Sequence, residues 1–158
     1  MKQYFEIDKL KSQYLSLILT SFTRFSRFAI VGFSGVFIDL GAFYILHEFL
    51  NLELTPSSML STEIAIVNNF IWNDLWTFGD VLQHQTTNTE YFQRFLKFNL
   101  ICFLGLIINS LIVNFMFFKF DINEYIAKFV AIGCVTLWNF ALNMMFNWKV
   151  TRTVPQNL

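Results

Sequence analysis

STEIAIVNNFIWNDLWTF, residues 61–78, is an apolar run of helix length that nonetheless carries Glu63, Asn68, Asn69, Asn73 and Asp74. A version of it returns 70 residues later, where Asn139, Phe140 and Asn143 stand in for Asn69, Phe70 and Asn73. Sliding residues 24–78 onto 94–148 without a gap also matches Arg24, Phe25, Phe28, Phe33, Gly35 and Ile38 to identical residues. In the same register Arg27 falls on Lys97, Asp39 on Asn109, Trp76 on Phe146 and Phe78 on Trp148. The chain therefore reads as a duplicated unit, and each copy holds polar groups where lipid would penalise them.

Hydrophobic residues make up 55% of the 158 residues and charged ones 14%, with 21 Phe, a balance that points to a membrane protein. That length is near the usual size of one domain. Cys102 and Cys134 lie inside apolar runs and read as buried packing residues rather than a disulfide framework. The short apolar stretch at 15–19 is followed by Arg24 and Arg27 instead of a small-residue cleavage site, so the amino end is expected to be retained.

Residues 1–26 mix lysines with Tyr14, Leu15, Leu17, Ile18, Leu19 and Phe22. They suit an amphipathic helix in the membrane interface, or a loosely ordered basic tail. The transmembrane domain is expected over 27–150, with helices near 28–50, 56–78, 98–118 and 125–148 and a cytoplasmic tail at 151–158. On the first, Phe28, Gly32, Gly35, Asp39, Ala42 and Leu46 share a face, where the glycines would admit a neighbouring backbone. Residues 79–93 read as a polar loop joining the repeats.

Lys2, Lys9, Lys11, Arg24, Arg27, Arg94, Lys97, Lys149 and Arg152 flank one side of these helices, and Lys119 and Lys128 the other. That bias predicts both termini on the inner side of the cytoplasmic membrane. The fold expected is thus all-α, four transmembrane helices in two tandem two-helix repeats, related by a parallel pseudo-two-fold axis along the membrane normal.

Asp39 lies twelve residues from Arg27 and Asn69 nine from Phe78, about 18 and 13 Å deep at about 1.5 Å per residue. The two are expected to meet near the midplane, as are Asn109 and Asn139. With Glu63, Asn73 and Asn143 they would form a polar belt. Such a belt reads either as a hydrated path for a polar cargo or as interhelical hydrogen bonding. At the cytoplasmic ends Arg24 with Arg27, and Arg94 with Lys97, form basic pairs that suit a phosphate, or serve only as topogenic charge against lipid headgroups.

No phosphate-cradling glycine loop, CxxC or HExxH is present, and His47 and His84 are predicted on opposite sides of the membrane. An enzyme is therefore not expected, nor a metal or other cofactor, nor a nucleic-acid partner.

RFAIVGFSG (27–35) with Asp39, NNFIWNDLWTF (68–78), RFLKF (94–98) and NFALNMMFNW (139–148) together resemble the GtrA-like family over about residues 24–150. The resemblance implies a small four-helix membrane protein that translocates a polyprenyl-phosphate monosaccharide, such as undecaprenyl-phosphate glucose, for cell-surface polysaccharide or teichoic acid glycosylation. It also implies a separate membrane-associated glycosyltransferase as partner. After the asparagine at 73 that family commonly carries a basic residue, whereas this chain has Asp74.

Two other functions compete with the flippase. One is a non-transporting partner that anchors a polyprenyl-phosphate glycosyltransferase through 79–97 and 149–158, and the other a small multidrug-type exporter that would depend on Glu63. Four helices enclose little volume, which favours assembly of two or more copies.

Overall fold

The computed structural model describes residues 2–82 and 87–149. His84, Arg152 and the expected tail at 151–158 lie outside the described residues. The chain divides into two compact units, Met1–Thr77 and Phe78–Leu158, each of them a helical hairpin.

In the first unit α1 (Lys2–Tyr44) widens into a π turn at Ile45–Phe49, with the Leu50 N–H donating to the Ile45 carbonyl at 3.0 Å. Asn51 then turns the chain with φ 53°, a left-handed conformation that asparagine tolerates better than most residues. The reversal is closed by His47 Nδ1, 2.8 Å from the Leu52 carbonyl oxygen. α2 (Leu54–Trp72) holds Pro56 in its first turn, where a missing N–H costs nothing, and ends in a second π turn at Asn73–Thr77.

The second unit begins with a capping box. The Thr87 hydroxyl accepts from the Glu90 N–H at 3.3 Å, and the Glu90 carboxylate accepts from the Thr87 N–H at 3.1 Å. From there α3 (Asn88–Phe120) runs to Asp121, whose φ of 52° lets its N–H reach the Met116 and Phe117 carbonyls. Asn123 caps α4 (Glu124–Leu142), which widens into a third π turn at Asn143–Asn147.

The first and third helices start earlier than hydropathy suggests. Residues 2–26 are helical and continuous with the first span rather than a loose tail. Ser16, Thr20, Thr23 and Ser26 donate to carbonyls three or four residues back, so the segment carries hydroxyls without breaking the helix. Among the described residues three stretches are long and apolar enough to cross a membrane: Lys11–Phe49, Asn88–Phe120 and Glu124–Asn147. The polar residues of α2 leave it outside that set.

Small residues set the helix spacing. Ser57, Ser61 and Ala65 are buried along α2, and Ala127 and Ala131 along α4, four apart in each case. Opposite them Gly35 lies against the Asn69 amide and Gly105 against that of Asn139. Gly32 meets nothing within 4 Å, so of the two glycines expected to admit a neighbour only Gly35 does. In the second unit Trp148 stacks on Phe78 at 4.3 Å and takes the edge of Phe98 at 6.2 Å. Cys102 is half-buried and Cys134 exposed, correcting the expectation that both are buried.

Candidate polar site

Each unit ends in a ladder of polar side chains on its second helix. In the first, Asn73 Nδ2 donates to the Asn69 carbonyl and Thr77 Oγ1 to Asn73 Oδ1, both at 2.8 Å. In the second, Asn143 Nδ2 donates to the Asn139 carbonyl at 2.8 Å, and Asn147 Nδ2 donates to Asn143 Oδ1 and to the Arg94 carbonyl, each at 3.1 Å. A π turn moves backbone bonding to the fifth residue, as where the Trp148 N–H reaches the Asn143 carbonyl at 2.9 Å. The asparagine amides supply donors where the widened turn redirects the backbone.

Asn73 and Asn143 are therefore occupied in holding the helix ends, and both are fully buried. Asn69 and Asn139 differ. Their backbone carbonyls are bonded, but the Oδ1 of each is buried without a hydrogen-bond partner, as is Oδ1 of Asn147. A buried acceptor left unmatched costs about 1–3 kcal/mol.

The expected pairings across the belt do not form. Asp39 Oδ1 accepts from Ser61 at 2.7 Å and Thr62 at 3.3 Å rather than meeting Asn69. Asn109 Oδ1 accepts from Lys128 Nζ at 2.9 Å rather than meeting Asn139. The reason is register. Gly35 sits opposite Asn69, so Asp39 stands a full turn farther along α1, and the same holds for Gly105 and Asn109. Glu63 is exposed on α2 and has no hydrogen bond to a described residue, so it is not brought to Asp39. Asp74 is buried.

The basic residues are not equivalent either. Arg27 Nη1 donates to the Trp76 carbonyl at 3.1 Å, and its guanidinium lies 5.5 Å from the Trp76 ring centre. Arg24 is half-buried, and Arg94 is buried with its guanidinium 5.7 Å from the Tyr91 ring centre. Lys97 is exposed and has no hydrogen bond to a described residue. Beside Arg27 an open groove of about 220 Å³ is lined by Ile30, Val31, Ser34, Trp72 and Trp76. Ser34 spends its hydroxyl on the Val31 carbonyl at 2.8 Å, which leaves the groove apolar.

Sequence reading missed Thr77 and Asn147, although the four-residue period of the asparagines leads directly to them. It also missed Ser61, Thr62 and Lys128 as polar partners, for which the sequence carries no comparable signal.

Proteins similar to this chain are known. Residues 27–148 match the family described as GtrA/DPMS, transmembrane domain, and the chain belongs to that family. It is 31% identical over 130 residues to a dolichol-phosphate mannosyltransferase of Pyrococcus furiosus, an alignment covering 81% of this chain and 33% of that protein. It is also 36% identical over 52 residues to the uncharacterized membrane protein YngA of Bacillus subtilis, covering 33% of this chain and 34% of that one. The chain thus matches about a third of the length of each of these relatives.

Proposed function

We propose that this protein carries a polyprenyl-phosphate-linked monosaccharide across the cytoplasmic membrane, without catalysing a reaction on it. The observation that carries this reading is the pair of buried, unmatched amide oxygens at Asn69 and Asn139, one in each unit. Hydrocarbon offers them no donor, whereas a sugar offers several hydroxyls. Each unit by itself brings a basic pair that suits a phosphate at the cytoplasmic end, Arg24 with Arg27 in the first and Arg94 with Lys97 in the second. The apolar groove beside Arg27 suits the first units of the prenyl chain, which then never leaves an apolar setting. In this reading α2 spans the membrane like the other three, and both termini face the cytoplasm.

The test loads liposomes with a labelled polyprenyl-phosphate glucose and measures how fast the headgroup becomes accessible outside. The protein is expected to speed exchange well above that of empty liposomes. Replacing Asn69 and Asn139 by leucine should slow it at least tenfold, with the fold retained.

The mannosyltransferase relative favours a second reading, in which the chain anchors a separate glycosyltransferase that makes the lipid-linked sugar. Exchange no faster than in empty liposomes, from a folded protein, would replace the first reading by this one.

A further inference from the structure

Lys128 lies one turn inside α4, which starts at Glu124, while Asn109 lies eleven residues before the end of α3 at Phe120. At about 1.5 Å per residue their Cα atoms are about 6 and 16 Å from the turn of the hairpin. Since the ammonium reaches Asn109 Oδ1 at 2.9 Å, the lysine side chain runs inward, toward the middle of the helices. Long cationic side chains near a helix end ordinarily run the other way, to the nearer water.

The bond also fixes what the pair can offer. Holding Asn109 Oδ1 leaves its Nδ2 as a donor beside an ammonium that has three N–H groups and one acceptor here. Lys128 is exposed, so those donors are reachable from outside the hairpin. A charged donor beside a neutral donor, with the acceptor already consumed, selects an anion. The equivalent level of the first unit is the opposite, a carboxylate at Asp39 with Ser61 and Thr62 donating to it.

We propose that Lys128 and Asn109 form a binding site for the phosphate of an anionic prenyl lipid in the outer half of the membrane. Resting on the transport reading, this site receives the phosphate after it leaves the basic residues at the cytoplasmic end. The second unit alone carries it, because the carboxylate at the same level of the first unit repels an anion.

The test places the full chain in nanodiscs of phosphatidylcholine, titrates with farnesyl phosphate, and counts bound lipid by native mass spectrometry. Lys128→Gln should lose one bound farnesyl phosphate or weaken its binding about tenfold, while Lys128→Arg retains it. Asn109→Leu, which keeps the charge and removes the amide donor, should weaken it several-fold. A parallel titration with phosphatidylglycerol separates a prenyl phosphate from ordinary headgroups, and its binding should not change in Lys128→Gln. Unaltered farnesyl phosphate binding in a folded Lys128→Gln overturns the site, as does an equal loss of both lipids. Because binding is read without transport, failed headgroup exchange in the wild type would sink the transport reading and leave this result standing.

Discussion

The two hairpins have the same backbone plan and differ in what they place one turn nearer the hairpin bend. Both press a glycine on the first helix against an asparagine on the second, and both end in a π turn laced by side-chain amides. Farther along, one pairs the Asp39 carboxylate with two hydroxyls and the other pairs the Asn109 amide with the Lys128 ammonium. The buried small residues follow suit, Ser57 and Ser61 against Ala127 and Ala131. The hairpins agree in the parts that backbone geometry demands and differ in charge where only side chains meet.

The shared contact is where a substitution should do most damage. A Cβ built on Gly35 would lie 2.6 Å from Asn69 Oδ1, and one on Gly105 2.7 Å from Asn139 Oδ1. Gly35→Leu and Gly105→Leu should each cost about 1–3 kcal/mol or more, read as a lower unfolding temperature in detergent. Gly32→Leu should cost almost nothing, since nothing lies within 4 Å of it. A tolerated Gly105→Leu beside a damaging Gly35→Leu would break the equivalence of the hairpins.

The ladders should separate next. Asn147→Ala removes two donated bonds and leaves the Arg94 carbonyl and Asn143 Oδ1 without that donor. About 1–3 kcal/mol should be lost, against about 0.5–1.5 for Thr77→Val, which removes one. Equal losses in thermal unfolding would mean that the bond to Arg94 contributes nothing.

The helical fold was legible because the long apolar runs of the sequence are the ones that form helices. Helix ends were less legible, since hydropathy follows the bilayer, whereas α3 starts where Thr87 and Glu90 cap it. The polar site was half legible. Residue type picked out Asn69 and Asn139, but depth counted from helix ends could not resolve one turn of register, so Asp39 was matched to the wrong partner. Lys128 was read as a topogenic charge because only geometry reveals that its ammonium turns inward.

Asp39→Asn is expected to be mild for stability, because the amide keeps an oxygen for Ser61, and an intramembrane hydrogen bond is worth about 0.6 kcal/mol. It makes the first hairpin resemble the second at this position. A loss above about 2 kcal/mol in thermal unfolding would mean the carboxylate has a structural role that Asn109 lacks.

The smallest expected effect concerns how the hairpins begin. Glu90 is held below its ordinary 4.5, first by the Thr87 N–H, then by the Thr87 hydroxyl, with Arg94 and Lys149 adding attraction. A carboxyl with a depressed folded value stabilises above its unfolded pKa, and the contribution is lost as pH falls through the folded one. The start of α3 should therefore keep constant protection from neutral pH down to about 5, then fray in more acidic solution. Amide hydrogen exchange over 88–91, corrected for intrinsic rates, reads this directly. Thr87→Val removes the hydroxyl that accepts from the Glu90 N–H and donates to the Glu90 carboxylate, so protection in that variant should be lower at neutral pH and depend less on acid. Full protection persisting in that variant would assign the order of this helix start to its neighbours rather than to its cap.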